Sequence, residues 1–258
     1  MKQLLSAAAL AATVGLGAAA QGATFSAGES IAAGGIWTSP LRPAAPRVYQ
    51  YVLPASTINY SGSDPVLLTG LSMRLSHQST AAGATALNSG GSTGRYEIML
   101  SRTSVAPGGQ LSTTFANNVA PGTAVTVRTG ALVIPPNDYP VRTSATDAGG
   151  FGSPFVFNTP YTYNPGEEIL VTIRHTGFTY TDPQEGATPA TDAFSSTLAG
   201  QWDYGAIANT TDPNATTGTR FTGTNATVTQ FTYTAVPEPA GLALLGVAGL
   251  LCCRRRRA

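Results

Sequence analysis

Tyr96-Glu97-Ile98-Met99-Leu100-Ser101 places Tyr96, Ile98 and Leu100 on one face of an extended chain and Glu97, Met99 and Ser101 on the other. Alternation with period two is the mark of a strand, whereas a helix repeats about every 3.6 residues. The same alternation recurs on either side. Val48 to Leu53 sets Tyr49, Tyr51 and Leu53 on one face, and Leu71, Met73 and Leu75 alternate with Ser72, Arg74 and Ser76. Ile169, Val171 and Ile173 alternate with Leu170, Thr172 and Arg174, and Thr227, Thr229, Phe231 and Tyr233 oppose Val228, Gln230 and Thr232. β-Branched and aromatic residues dominate these runs, as strands prefer. Shorter strands are expected at Ala124 to Arg128, Ala131 to Ile134 and Phe155 to Asn158.

Turn chemistry separates the runs: Pro107-Gly108-Gly109, Pro121-Gly122, Pro135-Pro136-Asn137-Asp138, Asn164-Pro165-Gly166 and Asp212-Pro213-Asn214. No segment of the body reads as an amphipathic helix. The expectation is an all-β fold, an antiparallel β-sandwich or jelly-roll-like domain, with a barrel as the alternative. The body runs from Gln21 to Ala235, a length that suits one large sandwich.

Charged residues make up 10% of the chain, against about 25% in an average domain, and the hydrophobic share of 42% is ample for a core. The body carries nine arginines, no lysine and twelve acids, a net charge of −3. It therefore lacks the basic footprint of a nucleic-acid binder. Both cysteines, Cys252 and Cys253, lie near the C-terminus, so the body forms no disulfide.

The two ends read as addresses. Met1-Lys2, an apolar run from Leu4 to Ala20 and the small residues Ala18-Ala19-Ala20 form a secretory signal peptide over 1–20, cleaved after Ala20. At the other end, 236–258 is a tail of three parts. Pro237 and Pro239 hold Glu238 in an extended conformation within the 236–239 motif. Residues 240–253 are apolar or glycine and form a short transmembrane helix of about 21 Å. Arg254, Arg255, Arg256 and Arg257 then fix the far end in the cytoplasm. A GPI signal would not end in arginines, and the Leu-Pro-x-Thr-Gly motif of cell-wall sortases is absent.

This order of elements resembles the PEP-CTERM sorting signal. The resemblance implies recognition of Pro237-Glu238-Pro239 by an exosortase, a membrane-embedded cysteine transpeptidase. It implies passage through the secretion translocon, transient insertion in the inner membrane, and transfer of the body to the cell surface or exterior, often in connection with exopolysaccharide. Arg47-Val48-Tyr49-Gln50-Tyr51, Arg95 to Ser101, Leu111 to Asn118 and Thr159 to Pro165 are also similar to segments of an uncharacterised exported family that carries this tail. That likeness spans roughly Pro46 to His175 and implies a shared sandwich fold without an activity.

Little in the body points to chemistry. His77 and His175 are the only histidines and have no cysteine near them, which argues against zinc. No Ser–His–Asp triad is read from the serines, which are abundant by chance. Glu97, Glu167, Glu168 and Asp203 are the acids from which a glycosidase pair would have to come. No cofactor is expected. Calcium is the one candidate, through Asp182, Glu185, Asp192, Asp203 and Asp212. Trp202-Asp203-Tyr204 sets two aromatics beside an acid, the elements with which a sandwich stacks on and hydrogen-bonds a sugar. Asn59, Asn209, Asn214 and Asn225 begin Asn-x-Ser/Thr sequons, read here as turn and half-exposed strand sequence. The reading is a non-enzymatic exported surface or matrix protein associated with polysaccharide, with a carbohydrate-binding module and a polysaccharide hydrolase as alternatives.

Overall fold

The computed structural model describes residues 22–28, 32–36, 40–41, 45–107, 109–141, 144, 149–182, 189–194, 206–221 and 226–236. Its first strands are β1 (Ala23–Ala27), β2 (Ala32–Ile36), β3 (Arg47–Leu53) and β4 (Val66–Met73). The helix α1 (Ala81–Asn88) follows, then β5 (Gly91–Thr93), β6 (Tyr96–Ser101), β7 (Val125–Arg128) and β8 (Leu132–Ile134). Next come β9 (Phe155–Tyr163), β10 (Ile169–His175), β11 (Thr179–Tyr180) and β12 (Thr191–Phe194). The last are β13 (Ala206–Asn209), β14 (Thr219–Phe221), β15 (Ala226–Thr227) and β16 (Thr229–Ala235).

Two larger sheets carry the fold, one in the order β1-β16-β4-β9 and the other β14-β13-β3-β10-β6-β7. Every pairing between these strands is antiparallel. Phe25, Leu68, Leu71 and Phe231 from the first sheet share one core with Tyr49, Tyr51, Ile98, Val171 and Ile173 from the second. The Tyr51 and Thr229 hydroxyls join the two sheets by a 2.9 Å hydrogen bond, and Tyr96 meets Phe155 edge-on at 5.3 Å. The arrangement is sandwich-like. Two three-stranded sheets, β11-β5-β8 and β15-β12-β2, flank it.

Three features go beyond the sequence reading or correct it. The first, beyond it, is the burial of the second faces of β3 and β10. Val48, Val52 and Leu170, on the face opposite Tyr49 and Tyr51, are fully buried with Leu111, Phe115 and Ile207 in a second apolar cluster. The connection from β6 to β7 lies over that face through a short 3₁₀ turn at Phe115–Asn118. It is fastened by Gln50, whose amide donates to the Phe115 carbonyl at 3.3 Å and to the Thr172 hydroxyl at 2.9 Å. Asn118 in turn donates to Gln50 Oε1 at 2.8 Å, so the buried amides satisfy each other.

The second correction is α1, where no helix is expected. Its residues are small, which weakens any apolar stripe, but it is properly capped. The Thr80 hydroxyl accepts from the Gly83 N–H at 2.9 Å, and Ala84, Ala86 and Leu87 are buried. The third is the length of β9, which runs on through Pro160 to Tyr163. A proline is tolerated there because β9 is an edge strand of its sheet. The Asn164-Pro165-Gly166 turn forms as read, with Gly166 at φ +86° and the Glu167 N–H donating to the Asn164 carbonyl at 3.2 Å.

The first described strand pairs with the last. β1 lies against β16 with Ala23 opposite Tyr233, and β16 continues along β4 until Ala235 meets Val66. The chain therefore enters and leaves the four-stranded sheet at the same end. The signal peptide, the 236–239 motif beyond Val236, the apolar run 240–253 and the Arg254–Arg257 cluster lie outside the described residues. Among the described residues no helix is long and apolar enough to cross a membrane.

Candidate functional site

Antiparallel register places Arg47 of β3 opposite His175 of β10, and His175 opposite Tyr96 of β6. Cross-strand partners share a face, so the three form one row on the inner face, at the end of the core. Tyr96 stacks on the imidazole at 5.8 Å with 15° between the planes, and Phe178 closes on it at 5.4 Å. His175 Nδ1 accepts from the Gly177 N–H at 3.0 Å, which puts the proton of the neutral ring on Nε2. Burial, and then the nearby positive charge of Arg47, lower the His175 pKa to about 3. A ring so placed stays neutral at physiological pH. Burial likewise raises the pKa of Tyr96 and Tyr139 well above the usual phenol range.

This geometry predicts an acid-sensitive fold. The unfolded chain protonates His175 below about pH 6.5, whereas the folded chain resists until about pH 3. The unfolded state then binds more protons across that window, so stability falls as pH drops through it. Urea midpoints of the parent and of His175→Leu, compared from pH 7 to pH 5, are expected to diverge, with the parent falling more steeply. Parallel curves would overturn this. His77, the other histidine, is common to both chains and cancels.

Arg47 is 1% exposed and is among the residues that line an open cleft of about 670 Å3. Ala45, Ala208, Asn209, Thr210, Thr211, Thr219 and Phe221 complete its lining. The small residues Ala206 and Ala208 on the inner face of β13 are both buried. The rim is ordered by Asn209, whose side-chain Oδ1 accepts from the Thr211 N–H at 3.1 Å, the Thr211 hydroxyl at 3.2 Å and the Asp212 N–H at 3.0 Å.

Four of the acids singled out in the sequence, Glu97, Glu167, Asp192 and Asp212, are engaged within the fold. Glu97 pairs with Arg95 at 3.1 Å and faces Arg174 at 3.8 Å. Arg174 also donates to the Pro213 and Ala215 carbonyls at 3.1 Å each and lies 5.8 Å from the centre of the Phe115 ring. Glu167 pairs with Arg102 at 3.5 Å and accepts from the Asn164 amide at 3.0 Å. Glu97 lies opposite Arg174, seven residues along the chain from Glu167. At about 3.3 Å per residue that is about 23 Å, well beyond the roughly 5–9.5 Å of a glycosidase pair. Glu168 is only one residue nearer.

Asp192 is buried against Arg74, with Nε–Oδ2 at 2.7 Å. Asp212 accepts from the Asn214 N–H at 2.8 Å. Glu185 and Asp203 lie outside the described residues, and among the described residues no group of three His, Cys, Asp or Glu could hold a metal ion. Trp202-Asp203-Tyr204 also lies outside them. Gly90-Gly91-Ser92-Thr93-Gly94 has the spacing of a nucleophile elbow, a feature missed in the sequence. Ser92 lies within β5, paired on both sides by β11 and β8, and not on the strand-to-helix turn an elbow requires. Comparison of the chain with protein-family models, curated proteins and solved structures finds no match.

Proposed function

We propose that this chain is an exported, non-enzymatic cell-surface or extracellular-matrix protein with a jelly-roll-like body, released at its C-terminal signal by an exosortase-type transpeptidase. The observation that carries this reading is the tail: Pro237-Glu238-Pro239, the apolar run 240–253 and Arg254–Arg257, in that order. The fold supports it in two ways. β16 ends at Ala235, two residues before Pro237, so a cut at the motif removes none of the described strands. Because β1 and β16 are paired with Ala23 opposite Tyr233, the segments leading to the signal peptide and to the tail depart side by side. A precursor held by both ends would thus be tethered to one membrane without strain on the sheet. The association with exopolysaccharide rests on the sorting resemblance.

Mass spectrometry of the termini in fractionated cells tests the proposal. The extracellular protein is expected to begin near Gln21 and end near Pro237–Pro239, and Glu238→Ala is expected to leave it in the inner membrane. Parent protein retained there with Arg254–Arg257 intact would overturn the proposal, because the tail would then be an anchor.

A further inference from the structure

We infer that, while the apolar run 240–253 is inserted, the end of the sandwich that carries Tyr60 and Tyr233 rests on the bilayer, with zwitterionic lipid headgroups as its partner. This deepens the proposed function and rests on one part of it, the entry of that run into the membrane; it does not depend on cleavage. Length sets the contact. Ala235 ends β16, and the apolar run begins at residue 240. Fully extended, the chain between them covers at most about 18 Å. Crossing the headgroup layer takes about 5–8 Å of that. The end of β16 is therefore held within about 10–13 Å of the headgroups. The segment leading from β1 to the signal peptide leaves from the same end, with Ala23 opposite Tyr233, so its insertion places the body the same way.

The residues at this end suit a lipid surface. Phe25 gathers Tyr60, Tyr163 and Tyr233 around it at 5.3, 5.6 and 5.5 Å. Tyr60 and Tyr233 are half-buried and meet edge-on at 5.4 Å, so they cap the core there. Rings with an apolar body and a polar tip are what the membrane–water interface enriches. The Tyr60 hydroxyl donates to the Asp64 carbonyl at 3.1 Å, which holds the exposed Asp64 at this end. Among the described residues the other charges here are Glu167, Glu168 and Arg102, which pairs with Glu167 at 3.5 Å. Three carboxylates and one guanidinium leave a net charge of −2. An anionic bilayer repels this end, whereas the ammonium of a zwitterionic headgroup is drawn to carboxylates and to aromatic faces alike. Acids at the opposite end lie about 23 Å further off, the length of the seven-residue β3, and are screened.

Fluorescence quenching on the full chain in vesicles tests the inference. The body has no cysteine, so a single label goes on Cys252 with Cys253→Ala, or on Ser61→Cys or Thr210→Cys in a chain with Cys252→Ala and Cys253→Ala. Ser61 adjoins Tyr60, and Thr210 follows Asn209, which lies opposite Val48 at the far end. A nitroxide on the lipid acyl chains is expected to quench the Cys252 label, which reports insertion of the tail. A nitroxide on the headgroups of phosphatidylcholine–phosphatidylethanolamine vesicles is expected to quench the Ser61→Cys label at least threefold more than the Thr210→Cys label. In phosphatidylglycerol vesicles that excess is expected to fall by at least half. The exposed change Asp64→Lys is expected to restore it, and Asp212→Lys at the far end is not. With the Cys252 label quenched, three results would each overturn the inference and leave the sorting proposal standing: equal quenching at the two body positions, an excess indifferent to lipid charge, or the same response to Asp64→Lys and Asp212→Lys. An unquenched Cys252 label would overturn both.

Discussion

A chain that ends at Val228, and so lacks β16, is expected to show no cooperative thermal transition, whereas one that ends at Val236 is expected to melt as the full-length protein does. β16 is an interior strand: it pairs along its whole length with β4 on one side, from Thr229–Met73 to Ala235–Val66, and with β1 on the other. Its loss removes the only named strand partner of β1 and exposes the face on which Phe231 sits fully buried, 5.5 Å from Phe25. It also removes Thr229, the partner of the Tyr51 hydroxyl in the opposite sheet. Truncating a single buried Phe costs about 3–5 kcal/mol, and a whole domain is stable by only about 5–15 kcal/mol. Phe231 alone is thus worth a large part of that margin, and the strand's two hydrogen-bonded ladders are lost with it. Circular dichroism melts of the two truncated chains decide the matter, and a sharp transition in the shorter one would show that β16 is dispensable. The same arrangement sets an order of events. The four-stranded sheet closes only after β16, the last described strand, is made, and Val236, 42% exposed, follows it.

What could be read from the sequence, and what could not, follows from the range of the forces involved. β6 and β16 announce themselves because each buries one face, and alternation is a local signal. β3 and β10 announce themselves as strands, but their second buried face is invisible locally. It depends on the β6–β7 connection folding back, and the hydrogen bond that fastens it joins Gln50 to Asn118 across 68 residues. α1 escapes notice because alanine and glycine leave no apolar periodicity, although Thr80 at its start is a legible cap. Of the site, Arg47 stands at the head of a quoted strand. That it lines a cleft comes from the β3–β13–β14 pairing, in which the partner strands lie more than 150 residues downstream.

Removing either partner of the Arg74–Asp192 pair is expected to cost about 3–5 kcal/mol, the range for stranding a buried charge. Their side chains are only 3% and 2% exposed, and Nε meets Oδ2 at 2.7 Å. The Phe151 ring lies 5.4 Å from the guanidinium carbon and helps to exclude water. Asp192 had suggested a calcium ligand because acids were scattered through its stretch of sequence. In the fold it is a fastening. Its N–H donates to the Arg74 carbonyl and its carbonyl accepts from the Val228 N–H, each at 2.9 Å, while Leu75 bridges to Thr191. The ion pair thus sits where β12, the centre of the β15-β12-β2 sheet, is joined to the chain leaving β4. Asp192→Asn preserves the shape but removes the carboxylate charge that faces the arginine, so it is expected to destabilise nearly as much as Asp192→Ala. Replacing both charges, as Arg74→Met with Asp192→Leu, removes the stranded charge and is expected to recover more than half of the loss. Urea denaturation of the single and double variants gives the coupling energy directly. Additive losses would mean that the two side chains act independently, and a calcium-dependent melt that disappears in Asp192→Asn would support Asp192 as a calcium ligand.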